Sequence, residues 1–323
     1  MPKVAIVHDW LTGMRGGERC LEVFCELFPE ADLFTLLHVK GSLSQTIEGM
    51  DIRTSLLQSL PLSKKKYRYY LPLMPRLIEQ FDLSGYDLVL SSSHCVAKGV
   101  RVGPNTKHIC YCYSPMRYVW DMHDSYFGRE GVGALERMAM SLCRGYLRSW
   151  DRKTAQRVDK FIAISRFVAE RIKNCYGRES EVVYPPVNTS FYIPKKEPGD
   201  YFLMVTAMAP YKRVDLAIKA FNRLKLPLKI IGTGQMESRL REMAGPNIEF
   251  LGWRSDEESR DAYAGCRAFI FPGLEDFGIA PLEAQSCGRP VIAFGKGGVL
   301  ETVLPANPER TGKAVNEATG VFF

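Results

Sequence analysis

The sequence predicts an α/β protein made of two successive doubly wound domains that face each other across a cleft. Three observations carry this expectation. The 323 residues exceed one ordinary core and suit two domains of about 150 residues. Short continuous apolar runs alternate with stretches of helical spacing, the pattern of parallel strands covered by helices on both faces. One proline-rich stretch interrupts the alternation, and beyond it the pattern starts again.

The first run, residues 4–8, meets a glycine loop from Gly13 to Glu18, then an apolar pattern at helical spacing through Phe28. Residues 31–37 form the next strand, and 88–90, 108–113 and 160–164 read as later ones. From Tyr184-Pro185-Pro186 to Pro198-Gly199-Asp200 the prolines forbid helix or central strand. The domains are therefore drawn at 1–184 and 201–323, with 185–200 as linker. Strands in the second domain fit residues 201–206, 228–231, 248–251, 268–272 and 291–294. The final residues, Gly320-Val321-Phe322-Phe323, read as an apolar strand with no helix to cover it. The expectation is a piece of a longer protein whose C-terminal helices are missing.

An apolar content of 46% excludes a disordered chain. No apolar run approaches the ~20 residues that span a bilayer, and residues 1–10 read as strand, not signal peptide, so a cytoplasmic chain is expected. The nine cysteines are odd in number and unevenly spaced, which suits reduced thiols. Cys110 and Cys112 sit in an apolar run and read as buried strand thiols. No metal-ligand spacing occurs, and no metal or cofactor is expected.

The net charge of +7 is uneven: residues 1–196 hold 28 Lys and Arg against 20 Asp and Glu, the remainder 15 against 16. Such a basic first half suits an acidic partner. Its sharpest cluster, Lys64-Lys65-Lys66-Tyr67-Arg68-Tyr69-Tyr70, interleaves cations with aromatics. That fits an anionic membrane surface or a lipid-linked phosphate, or else a solvated basic loop. No nucleic-acid module accompanies it, so nucleic acid is not expected.

The stretch Glu275-Asp276-Phe277-Gly278-Ile279-Ala280-Pro281-Leu282-Glu283 follows a strand and opens a helix. Ligands bind outside the carboxyl ends of such strands, and the amides of a first helical turn attract anions. Glu275 and Glu283 can flank that anion and accept from hydroxyl-rich neighbours such as a sugar and a ribose; a capping glutamate plus a solvated one is the plain reading. Lys212-Arg213, just after the second domain's first strand, can neutralise a diphosphate or simply solvate a helix start. Gly16-Gly17 opens the first helix without matching a dinucleotide or Walker pattern, yet permits close approach of a phosphate or sugar. His94, after Ser91-Ser92-Ser93, and His8, before Asp9, stand at strand ends and are either structural or functional.

Together with Arg19, Val183-Tyr184-Pro185-Pro186-Val187, Phe250-Leu251-Gly252-Trp253 and Ala284, these motifs resemble glycosyltransferase family 4, retaining enzymes of the two-domain, Rossmann-like GT-B fold. The nearest texture is that of mannosyltransferase-like enzymes of bacterial O-antigen and exopolysaccharide synthesis. The resemblance implies a hexosyltransferase, and the basic cluster Lys64–Tyr70 leads to the expectation that it is peripheral on the inner face of the plasma membrane. It takes a nucleotide-sugar donor, GDP-mannose favoured, and a lipid-linked or glycan acceptor. It implies Glu275 on donor-sugar hydroxyls, Glu283 on the ribose, and Lys212 on the diphosphate. The backbone around Phe277, Gly278 and Ile279 is then the phosphate cradle. Gly16 and Gly17 approach donor and acceptor, and His94 lies near the transferred sugar. The family usually carries an arginine five positions before the lysine; here that residue is Ala207, and Arg213 is the substitute. The alternatives are a sugar-nucleotide epimerase or hydrolase of the same fold, or an inactive sugar-nucleotide-binding fragment.

Overall fold

The computed structural model describes residues 2–120, 134–195, 197–306 and 317–323. It forms two compact units, the first ending at Pro186 and the second beginning at Val187. Each unit is built on one parallel sheet. The first holds β1 (Val4–His8), β2 (Asp32–Thr35), β3 (Asp51–Thr54), β4 (Leu88–Ser93), β5 (Lys107–Cys112), β6 (Lys160–Ala163) and β7 (Ser180–Val182), ordered β3-β2-β1-β4-β5-β6-β7. The second holds β8 (Phe202–Val205), β9 (Leu228–Ile231), β10 (Ile248–Gly252), β11 (Ala268–Phe271), β12 (Val291–Ala293) and β13 (Gly320–Phe322), ordered β10-β9-β8-β11-β12-β13. Both windings are the same: the chain starts centrally, steps out to one edge, then returns to the other side of its first strand.

The unbroken apolar runs follow from burial on both faces. On β1, Ala5 and Val7 enter one core while Val4 and Ile6 enter the core on the opposite face. β11 repeats this with Phe269 and Phe271 on one side and Ile270 on the other. Helices such as Gly16–Leu27 and Val214–Leu224 cover these faces with a single apolar stripe.

Two strands escape the sequence pattern. β3 is mostly exposed, and its Arg53 donates to Asp32 and Asp51 at 2.8 and 2.9 Å. β7 is similarly open and carries Ser180 and Glu181. Both pair on one side only, so neither needs the apolar run that marks a central strand. Of the expected linker 185–200, Pro185 and Pro186 belong to the first unit, and the rest, apart from Lys196 outside the described residues, belongs to the second. Tyr192 is buried in that unit's core, Ser286 Oγ donates to the Tyr192 carbonyl at 2.7 Å, and Arg289 donates to the Lys195 carbonyl at 2.8 Å.

The basic cluster is folded, not a loop: Ser63–Lys66 and Tyr67–Tyr70 are two short helical turns. Lys64, Lys65, Lys66 and Arg68 are exposed. Tyr67 departs from the expectation of a surface tyrosine, because it is buried with its ring 5.0 Å from that of Trp10. The exposed apolar groups here are Leu62, Tyr69 and Leu73. Among the described residues no helix is long and apolar enough to cross a membrane.

Candidate functional site

In an open parallel sheet, a crevice opens at the carboxyl ends of the two strands whose connections leave in opposite directions. The strand orders place that point between β1 and β4 in the first unit and between β8 and β11 in the second. Lys212 follows β8 and Glu275 follows β11, whereas His8 ends β1 and His94 follows β4. Motifs far apart in sequence therefore collect at the switch point of each sheet.

In the second unit, Lys212 ends a 3-10 turn, Pro210–Lys212, and its ammonium pairs with the Glu275 carboxylate. Both side chains are largely enclosed, at 20% and 11% exposure. Arg213 is not brought to this pair. Its backbone is left-handed (φ 52°), and its guanidinium donates to Asp215 at 3.0 Å, which raises the arginine's pKa further. The expected second cation is thus held by the first turn of its own helix, where Asp215 also answers the helix dipole.

Gly278 caps the helix Ile279–Ser286 with φ 94°, a conformation that excludes most side chains, and a Cβ there would lie 3.3 Å from the Phe271 ring. Beyond it the amides of Ile279 and Ala280 have no intrahelical acceptor, a geometry that suits an anion, while Pro281 has no amide to offer. Phe277 is buried, so its own contribution to a ligand is confined to the backbone. Glu283, half-buried in the second turn, accepts from the Tyr263 hydroxyl at 2.9 Å, so the solvated reading of this glutamate fails.

The glycines that shape this site are mostly ones the sequence analysis did not single out. A Cβ on Gly298 would sit 2.3 Å from the Asp276 carbonyl oxygen, and one on Gly297 2.6 Å from that of Glu275. After β9, Gly232 and Gly234 press equally close on the Thr206 and Met208 carbonyls. Gly273 meets the Lys212 backbone at 3.0 Å. Four strand-end loops interlock backbone to backbone, which only glycine permits. The available signal was paired glycines directly after a predicted strand.

In the first unit, Asp9 is fully buried and accepts from the backbone amides of His94, Cys95, Val96 and Ala97 at 2.6–2.9 Å. It thereby fastens the loop after β4 to the end of β1, and its Oδ2 lies 3.0 Å from Nδ1 of His94. The His94 ring is half-buried and meets the Trp10 indole edge-on at 4.6 Å. Burial holds its pKa below the ordinary value, against the pull of Asp9. His8 is buried, with Nδ1 2.9 Å from Ser92 Oγ and Nε2 3.8 Å from Glu18. Glu18 accepts from the Arg15 amide at 3.1 Å and so caps the helix that Gly16 and Gly17 open. Gly16 is exposed and Gly17 half-buried, its carbonyl accepting from the Tyr113 hydroxyl at 2.8 Å. Among the described residues there is no group of three His, Cys, Asp or Glu able to hold a metal ion. Cys110 and Cys112 are both buried thiols.

Comparison with known proteins agrees with this geometry. Residues 33–191 match the model of Glycosyltransferase Family 4, and residues 188–317 match that of Glycosyl transferases group 1. The two matches meet at the unit boundary and between them take in nearly the whole chain. The chain belongs to the family 4 glycosyltransferases.

This member of the family is 30% identical over 187 residues to the GDP-mannose-dependent monoacylated alpha-(1-6)-phosphatidylinositol monomannoside mannosyltransferase of Corynebacterium glutamicum, covering 48% of this chain and 49% of that one. It is 29% identical to the O-antigen chain mannosyltransferase RfbU of Salmonella typhimurium, over 46% and 45% of the two chains. The chain spans about half the length of the curated relatives it matches. Among solved structures it resembles Anabaena Alr3699/HepE in complex with UDP and glucose, with TM-score 0.67 and 14% identity, covering 100% of this chain and 86% of that one. It also resembles WaaG, a glycosyltransferase involved in lipopolysaccharide biosynthesis, with TM-score 0.62 and 17% identity over 93% and 83%. At these identities the likeness is one of fold, the two-domain GT-B arrangement of parallel sheets.

Proposed function

We propose that the chain is a retaining hexosyltransferase that moves a sugar, mannose favoured, from a nucleoside-diphosphate donor to a lipid-linked or saccharide acceptor of the cell surface. The observation that carries the reading is the meeting of Lys212 and Glu275 at the β8/β11 switch point, beside the N-terminus of the helix Ile279–Ser286. The mannosyltransferase relatives, one of them named as GDP-mannose-dependent, favour GDP-mannose over other donors.

In this reading the departing diphosphate is stabilised by the Lys212 ammonium and by the first-turn amides of that helix; stabilising charge as it develops is commonly the largest catalytic term. A diphosphate that takes Lys212 as its counter-ion releases the Glu275 carboxylate, which then accepts from the sugar hydroxyls and orients the ring. Glu283 accepts from the ribose. Retention follows if the acceptor oxygen attacks on the face from which the diphosphate leaves. Its proton passes to the departing phosphate oxygen as the sugar–phosphate bond breaks. His94 belongs to the proposal as a group touching the transferred sugar, and Gly16 and Gly17 as the loop approached by donor and acceptor. The donor is the sole co-substrate, with no metal required, so transfer is expected to survive dialysis against EDTA. The exposed cluster Lys64, Lys65, Lys66 and Arg68 is proposed to rest on the anionic inner face of the plasma membrane, where a lipid-linked acceptor lies.

A thermal-shift panel of GDP-, UDP- and ADP-sugars tests the donor, since a ligand at 100 times its Kd adds about 2.7 kcal/mol to stability. Transfer is then followed with the stabilising sugar and a glycan acceptor. Glycosylated acceptor is the expected product. Free sugar without it marks a hydrolase, an inverted sugar carbon an epimerase, and binding without turnover an inactive nucleotide-sugar binder.

A further inference from the structure

Tyr263 lies on the helix Asp256–Gly265 and is fully buried. Its ring is packed between Tyr192, 5.8 Å away and perpendicular, and Phe269 at 5.3 Å. A phenylalanine would fill that space equally well. The hydroxyl brings a polar atom into an apolar core, which is costly unless it is bonded. Its bond is to Glu283 Oε2, at 2.9 Å. Burial, and then the charge of Glu283, hold the phenol well above its usual pKa, so it stays a donor.

The carboxylate it reaches sits one turn into the helix whose N-terminus suits an anion. Carboxylates on a helix surface otherwise keep several rotamers, and fixing one before the ligand arrives removes part of the ordering cost of binding. We propose that Tyr263 is a positioning residue for nucleotide recognition: from inside the core it sets the rotamer in which Glu283 meets the ribose hydroxyls. This rests on the ribose role of Glu283 proposed above.

The test is calorimetric titration with GDP and UDP in parallel, and with their 2′,3′-dideoxy analogues. Wild type, Tyr263→Phe, Glu283→Gln and Glu283→Asp are compared, with thermal unfolding as the check of folding. Glu283→Asp keeps the charge but withdraws it from the tyrosine, so it reports the same positioning if Tyr263→Phe proves unstable. Tyr263→Phe and Glu283→Asp are each expected to weaken the ribonucleotide about five- to tenfold, and Glu283→Gln about tenfold or more, as for a hydrogen bond to a charged group. None of the three should weaken the dideoxy analogue further than it is weakened in wild type. A tyrosine that merely packs would lower the unfolding temperature and leave that discrimination intact. Equal loss on both ligands, or on neither, in Tyr263→Phe, while Glu283→Gln weakens the ribonucleotide alone, overturns the positioning role and leaves the ribose role standing. If Glu283→Gln costs the ribonucleotide no more affinity than it costs the dideoxy analogue, or wild type binds neither nucleotide, both readings fall.

Discussion

Lys212 and Glu275 neutralise each other in a largely enclosed place, and that shapes what each substitution does. A glutamate that competes with the diphosphate for the lysine is a weak opponent of nucleotide binding. Glu275→Gln is therefore expected to cut transfer by about a hundredfold, as loss of an orienting contact at the reacting group does, with no loss of nucleoside-diphosphate affinity. A parallel fall in GDP or UDP affinity would remove Glu275 from the sugar. A different residue contributes to acid stability. His108 is fully buried, 2.8 Å from Ser91 Oγ, and burial draws its pKa from 6.5 to about 4 despite the opposing charge of Asp159. The unfolded chain takes up this proton near pH 6.5 and the folded chain does not, so stability is full above that pH and falls towards pH 4. Up to about 3 kcal/mol is involved. Carboxylates held low, such as Glu79, begin to act near their own ordinary value of 4.5, at the acid end of this range. Urea midpoints at pH 7 and pH 4.5 should differ much less in His108→Gln than in wild type; identical differences would exonerate the histidine.

The elements around the second site are joined through backbone contacts, so a methyl group is the sharpest probe of them. Gly298→Ala places a Cβ 2.3 Å from the Asp276 carbonyl oxygen, a backbone atom that cannot swing aside. The loop carrying Glu275 has to move. A stability loss of about 1–3 kcal/mol is expected, the usual cost of overpacking, together with weaker donor binding; unchanged nucleotide affinity would show that the loop tolerates the shift. Sequence periodicity reveals the central strands because burial on both faces demands apolar runs, as on β1 and β11. It misses β3 and β7, whose pairing comes from β2 and β6 and whose exposed side chains, Arg53 and Glu181 among them, leave no pattern. Asp9 is a similar case. Nothing in its neighbours announces that it collects four amides from a loop some 85 residues away.

For the molecule as a whole, the charge surplus of residues 1–196 and the exposed Lys64, Lys65, Lys66 and Arg68 lead to a measurable expectation. Each cation near an anionic leaflet contributes about 1 kcal/mol, screened within a Debye length. With Tyr67 committed to the core, Leu62, Tyr69 and Leu73 are the groups left to enter the headgroup region. Co-sedimentation with anionic vesicles should be clear at low salt and lost at high salt, and a Lys64/Lys65/Lys66→Ser variant should stay in solution. Equal pelleting of both proteins, or of neither, would rule this surface out.

The sequence by itself determined the two α/β domains, their division near the proline-rich stretch, and the motifs at the ends of β1, β4, β8 and β11. These follow from local rules: apolar period, glycine and proline positions, and the residue types that sit at strand ends. Tertiary structure alone decided which of those motifs work together. Strand order brought Lys212 to Glu275 although the two lie more than 60 residues apart, whereas Arg213, adjacent in sequence, turned to Asp215 because a left-handed residue and a new helix intervened. It also decided that Tyr67 is core and that a buried Tyr263 holds Glu283. Neighbours along a chain are set by covalent geometry, but partners across a crevice are set by sheet order and packing, which residue spacing does not encode.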